Sequence, residues 1–375
     1  MAEATQTKTT IAIDPVTRIE GHLKAEVVVE NGKVVDAKLT GGMYRGFESI
    51  LRGRHPRDAA QIVQRICGVC PTAHATAASI ALEKASGTAV PSNGRATRNL
   101  ILGANYLQSH ILHFYHLAGQ DFIQGPDTAP FMPRYAKPDL RLPPAINAVG
   151  VDQYVEALEV RAVCHEMVAL FGGRMPHVHG ILAGGAAEIP TKEKLVEYAA
   201  RFKKVRKFVE EKYLPVVYLV GSQYKDLGAF GQGYRNALCV GVFPLDDEGK
   251  EFVFKAGAYQ DGKDMPFDVK RVTEDVKFSW FADSTSGKPF TKGENVLEVD
   301  KKGAYSFVKA PLYNGKPMEV GPLARMWVNN KPISPIGQKL FKEYFGLDVK
   351  NFRDMGEDLA FSLWLLVSWE NKRSS

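Results

Sequence analysis

Arg65-Ile66-Cys67-Gly68-Val69-Cys70-Pro71-Thr72-Ala73-His74 sets two thiols three residues apart and a histidine four residues beyond the second. Gly68 lets the backbone fold back between the thiols, so both sulfurs can reach one soft metal ion. The pair is half of a ligand set. Cys164 and Cys239 each stand alone, so no second CxxC completes a structural zinc ribbon. Two other readings compete with metal binding. A CxxC beside a βαβ pattern can be a redox dithiol, but that motif opens a helix directly after a strand, and here a helix-like run from Arg57 to Arg65 comes first. Buried structural thiols are the third reading, and the pair alone leaves all three open.

Working outward toward the N-terminus, apolar residues alternate from His22 to Thr40 around Asn31-Gly32, a strong hairpin signal. Ile11 and Ile13 supply a third strand, and Gly46 to Leu51 reads as a short helix. On the other side, His74 to Lys84, Ala96 to Leu117, Val151 to Phe171 and Lys192 to Leu219 carry helical periodicity. The charged face of the last, with Glu193, Lys194, Glu197 and Arg201, reads as solvated helix surface. From Gly249 to Gly303 the text turns rich in Gly, Lys, Asp and aromatics, with strand-like runs at Glu251 to Ala256 and Lys277 to Ala282. Helical text returns at Ser334 to Phe345 and Met355 to Leu363. The expected class is α+β: a central helical bundle, a small N-terminal antiparallel sheet and an inserted β-rich lobe.

Composition narrows the function classes. At 375 residues and 45% hydrophobic content the chain can bury one large core or two smaller ones. Lys and Arg exceed Asp and Glu by 48 to 42, but no basic tract with interleaved aromatics gathers that charge, so nucleic acid is not an expected partner. The opening ten residues have no apolar core of a secretory signal, and the apolar stretch Phe361 to Trp369 is too short to span a bilayer. Four cysteines, two of them in one motif, give no disulfide framework.

The pattern Arg-x-Cys-Gly-x-Cys-x-x-x-His from Arg65 to His74 resembles the N-terminal metal signature of nickel-iron hydrogenase large subunits. Asp14-Pro15-Val16-Thr17-Arg18-Ile19-Glu20-Gly21-His22 resembles the family's opening motif, and Tyr44-Arg45-Gly46-Phe47-Glu48 the segment after its first hairpin. His113-Phe114-Tyr115-His116-Leu117, Gly172-Gly173-Arg174-Met175-Pro176-His177, Tyr305 to Pro311 and Glu319-Val320-Gly321-Pro322-Leu323-Ala324-Arg325 follow in family order. The likeness runs from about Thr9 to Leu363 and is greatest to the nickel-iron-selenium enzymes of sulfate-reducing bacteria. Respiratory-complex relatives share the fold but lack the metal cysteines.

The resemblance implies reversible oxidation of H2 to protons and electrons at a thiolate-bridged nickel-iron centre whose iron carries carbon monoxide and cyanide. By motif position Cys67 is similar to the terminal nickel ligand and Cys70 to the thiolate bridging nickel and iron. His74 is similar to a residue that hydrogen-bonds a ligand sulfur, Asp121 to an aspartate above the nickel, and Glu20 to the glutamate that relays protons. Glu48 is similar to a ligand of the family's magnesium. His110, His113 and His116, three apart on one helical face, read instead as helix-to-helix hydrogen bonders. Since the chain lacks the cysteines for iron-sulfur clusters, these are expected in a small partner subunit that passes electrons to a carrier such as a cytochrome or ferredoxin. Export with that subunit implies the periplasm; the absence of a signal on this chain is equally compatible with the cytoplasm.

The chain also departs from the family. The family's second signature, Asp-Pro-Cys-x-x-Cys-x-x-His or its selenocysteine form, occurs nowhere in the sequence, and Trp364 to Ser375 resembles nothing in the family. Leu312 stands where the family has arginine. The expected organisation is one large-subunit domain over 1–375, incomplete at its C-terminus. It comprises an N-terminal sheet (9–44), a helical core with the metal motif (45–248), an inserted mixed lobe (249–320), returning helices (321–363) and a tail (364–375). The alternative to an active hydrogenase subunit is a truncated or frameshifted chain that keeps half the ligands and at most binds the small subunit.

Overall fold

A computed structural model describes residues 8–126, 129, 139–230 and 233–362; the tail 364–375 lies outside them. The chain forms two compact units. One takes in the N-terminal segment through Glu48 together with Asp268–Met318, and the other runs Ser49–Phe267 and resumes at Glu319.

The first unit is built on an antiparallel sheet in the order β1 (Lys8–Ile13), β2 (Leu23–Glu30), β3 (Lys33–Gly41). Asn31 and Gly32 make the connecting turn with φ of 51° and 75°, the doubly left-handed geometry that matches strand twist. The register sets Ile11 opposite Val27 and Val27 opposite Ala37, so the apolar positions share one face, while Glu26 and Lys24 pair at 3.1 Å on the other. A second sheet joins Val272–Asp275, Ala310–Tyr313 and Lys316–Pro317. The two halves of the unit, distant in sequence, are tied where the Gly41 N–H donates to Ser306 Oγ (3.0 Å) and the Phe307 N–H to Gly41 O (2.9 Å). Tyr44 stacks on Phe307 beside them.

Two expectations are corrected here. Lys277 to Ala282 is not a strand. It makes only isolated bridges, Ser279 to Ser306 and Phe281 to Leu297, and its carbonyls are gathered by Lys301, whose Nζ donates to Val276 O (2.7 Å) and Phe281 O (2.9 Å). Residues 249–320 also do not travel together. Residues 249–267 pack in the second unit, because Gly257–Gln260 pairs with Ala237–Cys239, whereas 268–318 joins the N-terminal sheet.

The chain passes from one unit to the other within α1 (Phe47–Leu51), and the second unit is mainly helical: α2 (Ala59–Ile62), α3 (Pro71–Ser86), α4 (Ser92–Leu112), α5 (Pro144–Gly172), α6 (Lys192–Phe208), α7 (Leu214–Gln223), α8 (Pro322–Asn329), α9 (Pro335–Phe345) and α10 (Gly356–Ser362). α4 runs on as a π-helical turn, His113–Ala118, and a 3-10 turn ending at Asp121. The run read as one helix from Lys192 is α6 and α7 joined by a π turn, Val209–Tyr213. Its core is a bundle in which Ile101, Ala104 and Ile111 of α4 meet Ala157, Val160, Met167 and Phe171 of α5, with Val205, Phe208 and Val220 closing it. A second core gathers Leu323, Ala324 and Trp327 of α8 with Phe341 of α9, Tyr259 and Met355. No described helix is long and apolar enough to cross a membrane.

α3 and α4 form an antiparallel helical hairpin with a charge locked in its closed end. Arg98 grips Glu83 with two hydrogen bonds (2.6 and 3.2 Å), both side chains almost wholly buried, and Glu83 Oε1 also accepts the Gly184 N–H (2.8 Å). Gly94 and Gly185 let the backbones meet there, since a Cβ on Gly185 would lie 2.6 Å from the Gly94 carbonyl carbon. Arg98→Met is expected to strand the buried carboxylate and cost about 3–5 kcal/mol, read as a lower denaturant midpoint. Adding Glu83→Gln should recover much of that loss, because the amide still accepts from Gly184 but carries no charge.

Candidate metal centre

The thiol pair sits where a 3-10 turn, Val63–Ile66, hands over to α3. Cys67 is extended (φ −143°, ψ 139°), and Cys70 is the residue before the first turn of α3, with Pro71 opening the helix. The chain therefore folds back on Cys67. Its Sγ accepts the backbone N–H groups of Val69 (3.3 Å) and Cys70 (3.2 Å). Cys67 is buried, and Cys70 is partly open. Two N–H groups aimed at one sulfur and a helix N-terminus beneath the other both favour sulfur that carries negative charge. The donor set present thus fits half of a soft-metal site.

The loop is braced from two sides. Gln64, fully buried, donates from Nε2 to Ala60 O (2.9 Å) and Val178 O (3.0 Å), while Gln61 reaches the same Val178 carbonyl. Thr72 Oγ1 lies 3.9 Å from Met175 Sδ. Gly172-Gly173-Arg174-Met175-Pro176-His177 is thereby a buttress for the cysteine loop, held by Arg174 Nε donating to His177 O (2.8 Å). On the opposite side Gln108 Nε2 donates to Val69 O (3.1 Å).

The remaining candidates are placed as follows. His74 lies one turn into α3, its N–H directed at Cys70 O (3.4 Å). Asp121 is exposed at the end of the 3-10 turn that terminates the α4 extension. Glu20 and Glu48 are exposed and belong to the first unit. Among the described residues no group of three or more His, Cys, Asp and Glu is arranged to hold a metal ion, which includes the His110, His113 and His116 trio. His116 makes a helix-to-helix contact, Nε2 lying 3.2 Å from Tyr154 O. Cys164 is wholly buried, its thiol pushed up to about 12 by desolvation, and burial likewise raises Cys239. Both act as packing residues. Leu312 pairs in register with Thr273 and Pro317.

Sequence reading missed Gln64, Gln108 and Arg161. The signal was there in part: Asn105 and Gln108 occupy helical spacings otherwise filled by Ile101, Ala104 and Ile111, so polar groups were due to be buried on α4.

Two cysteines brought together at the head of a core helix fit half of a soft-metal site in an α+β protein, and comparison with known proteins makes the class specific. The model of the nickel-dependent hydrogenase family matches residues 45–127 and 123–352, and a HoxL-like model matches 10–40. The periplasmic [NiFeSe] hydrogenase large subunit of Desulfomicrobium baculatum is 60% identical over 95% of this chain and 71% of its own length. The hydrogenase-2 large chain of Escherichia coli K12 is 33% identical over 85% of this chain and 67% of its own. The Ni-Fe-Se hydrogenase structure from D. vulgaris Hildenborough superposes with a TM-score of 0.94 at 68% identity, covering 98% of this chain and 76% of that one. The chain belongs to the nickel-dependent hydrogenase family.

Burial also makes this region sensitive to acid. Desolvation, with Arg325 and His113 adding to it, pushes the His110 imidazole down to about 4, and burial lowers His116 and His165 as well. The unfolded chain then takes up protons first as pH falls below about 6.5. Stability is expected to be full above that pH and to decline toward pH 4, and His110→Gln should flatten the slope in denaturation curves taken between pH 4 and 7.

Proposed function

We propose that this chain is the metal-bearing large subunit of a nickel-iron-selenium type hydrogenase, which interconverts H2 with protons and electrons. One observation carries the reading within the family: Cys67 and Cys70 meet at the head of α3 with two backbone N–H groups directed at Cys67 Sγ. These two sulfurs would hold a nickel-iron centre, whose iron would carry carbon monoxide and cyanide. When bound, the centre supplies the redox and Lewis-acid chemistry for heterolytic cleavage of H2. The protein's own part is to hold the sulfurs charged and rigid. By motif position Glu20 would serve in proton relay, His74 would hydrogen-bond a ligand sulfur, and Asp121 would act beside the metal. Glu48 would contribute a carboxylate to a magnesium ion. Iron-sulfur clusters belong to a small partner subunit, with a cytochrome or ferredoxin beyond it, and the complex works in the periplasm.

The test is hydrogen uptake with an artificial electron acceptor by this chain assembled with its iron-sulfur partner, alongside metal analysis. Cys67→Ser and Cys70→Ser should each remove nickel and abolish uptake. Full nickel and undiminished turnover in either variant would overturn the assignment.

A further inference from the structure

The peptide between the two cysteines is held from both ends of one plane. Val69 O accepts from Gln108 Nε2 (3.1 Å), and the N–H of the same peptide unit, on Cys70, donates to Cys67 Sγ (3.2 Å). This peptide is trans, so its carbonyl and N–H point in opposite directions and a pull on one aims the other. Gln108 is itself fully buried on α4. Its Oε1 accepts from Arg161 Nε of α5 (3.1 Å), and its Nε2 also lies 2.9 Å from Ser109 Oγ. Because a guanidinium has only donors, the oxygen of the carboxamide must face Arg161, and the NH2 must then face Val69. The orientation of Gln108 is therefore dictated by Arg161. Hydrogen bonds in series polarise one another, and a cation at the head of the chain strengthens each donor after it.

We infer that Arg161 and Gln108 are positioning residues that relay positive charge through the Val69–Cys70 peptide to the Cys67 sulfur and so tune the metal bound there. The inference rests on the assignment of Cys67 and Cys70 as nickel ligands. A sulfur that accepts a stronger N–H bond donates less electron density to its metal, which favours the reduced state. Weakening the relay thus makes the sulfur a stronger donor and lowers the centre's potential.

Two readouts on the full chain test this. In the metal-free chain, hydrogen-deuterium exchange followed by mass spectrometry on peptides covering 66–72 should show faster exchange in Gln108→Leu than in the native chain. With Ni2+ alone added, Arg161→Met should move the thiolate-to-nickel absorption to longer wavelength, whereas Arg161→Lys, which keeps the charge, should stay near the native spectrum. A role in packing alone would leave the band in place in Arg161→Met. Unchanged exchange in Gln108→Leu, or an unshifted band in Arg161→Met, overturns the inference. A native chain that takes up no Ni2+ counts against the metal assignment instead, and the exchange experiment still decides whether the clamp exists.

Discussion

The Glu83–Arg98 ion pair is the constraint from which the rest of the second unit follows. It lies at the closed end of the α3–α4 hairpin, about 20 Å along α3 from Cys70 at 1.5 Å per residue. A carboxylate and a guanidinium out of water are tolerated only when every strong hydrogen-bonding direction is met. Here the bidentate geometry and the Gly184 N–H meet them. That requirement admits one register of α3 against α4, and the close approach of Gly94 to Gly185 admits one depth. At the open end of the same hairpin, Gln108 comes opposite Val69. The charge at one end therefore sets where the amide falls at the other.

Around that hairpin the sequence uses polar groups sparingly, each with a mechanical purpose. Gln64 and Gln61 hold the Val178 carbonyl, which fastens the Gly172–His177 segment behind the cysteines. Gln108 holds the front. The cysteine loop is short and has few side chains of its own to pack, so its shape is imposed from helices on both sides. The same logic appears in the first unit, where Lys301 collects carbonyls from a stretch too irregular to pair them in a ladder. In both places a long donor-rich side chain substitutes for regular secondary structure, because buried carbonyls must find partners.

Much of the fold was legible in the chain. The Asn31-Gly32 turn and the period-2 pattern on either side of it marked a hairpin, while its register is set by a bulge between Val28 and Val29 that brings Ala37 rather than Asp36 opposite Val27. The 3.6-residue periodicity of α4, α5 and α6 marked the bundle. The reading failed at Lys277 to Ala282, whose aromatics suggested a strand. It also failed to show that the stretch 249–320 would divide at Asp268. Pairing partners decide both, and these lie far away in sequence: Ser306 and Leu297 for the first, Ala237–Cys239 for the second.

The site divides in the same way. Local spacing by itself determined that Cys67 and Cys70 could meet, because the backbone between them has only a few ways to turn and Pro71 fixes the helix that follows. It also assigned the chain to its family, through motifs spread from Asp14 to Arg325. Only the tertiary structure decided what surrounds the sulfurs: Gln108 is 39 residues from Val69 beyond the α3–α4 connection, and Arg161 a further 53 along on α5. Sequence carries short-range geometry directly because the chain's dihedrals are few. It carries long-range polar contacts only through the packing of whole helices, which no local pattern records.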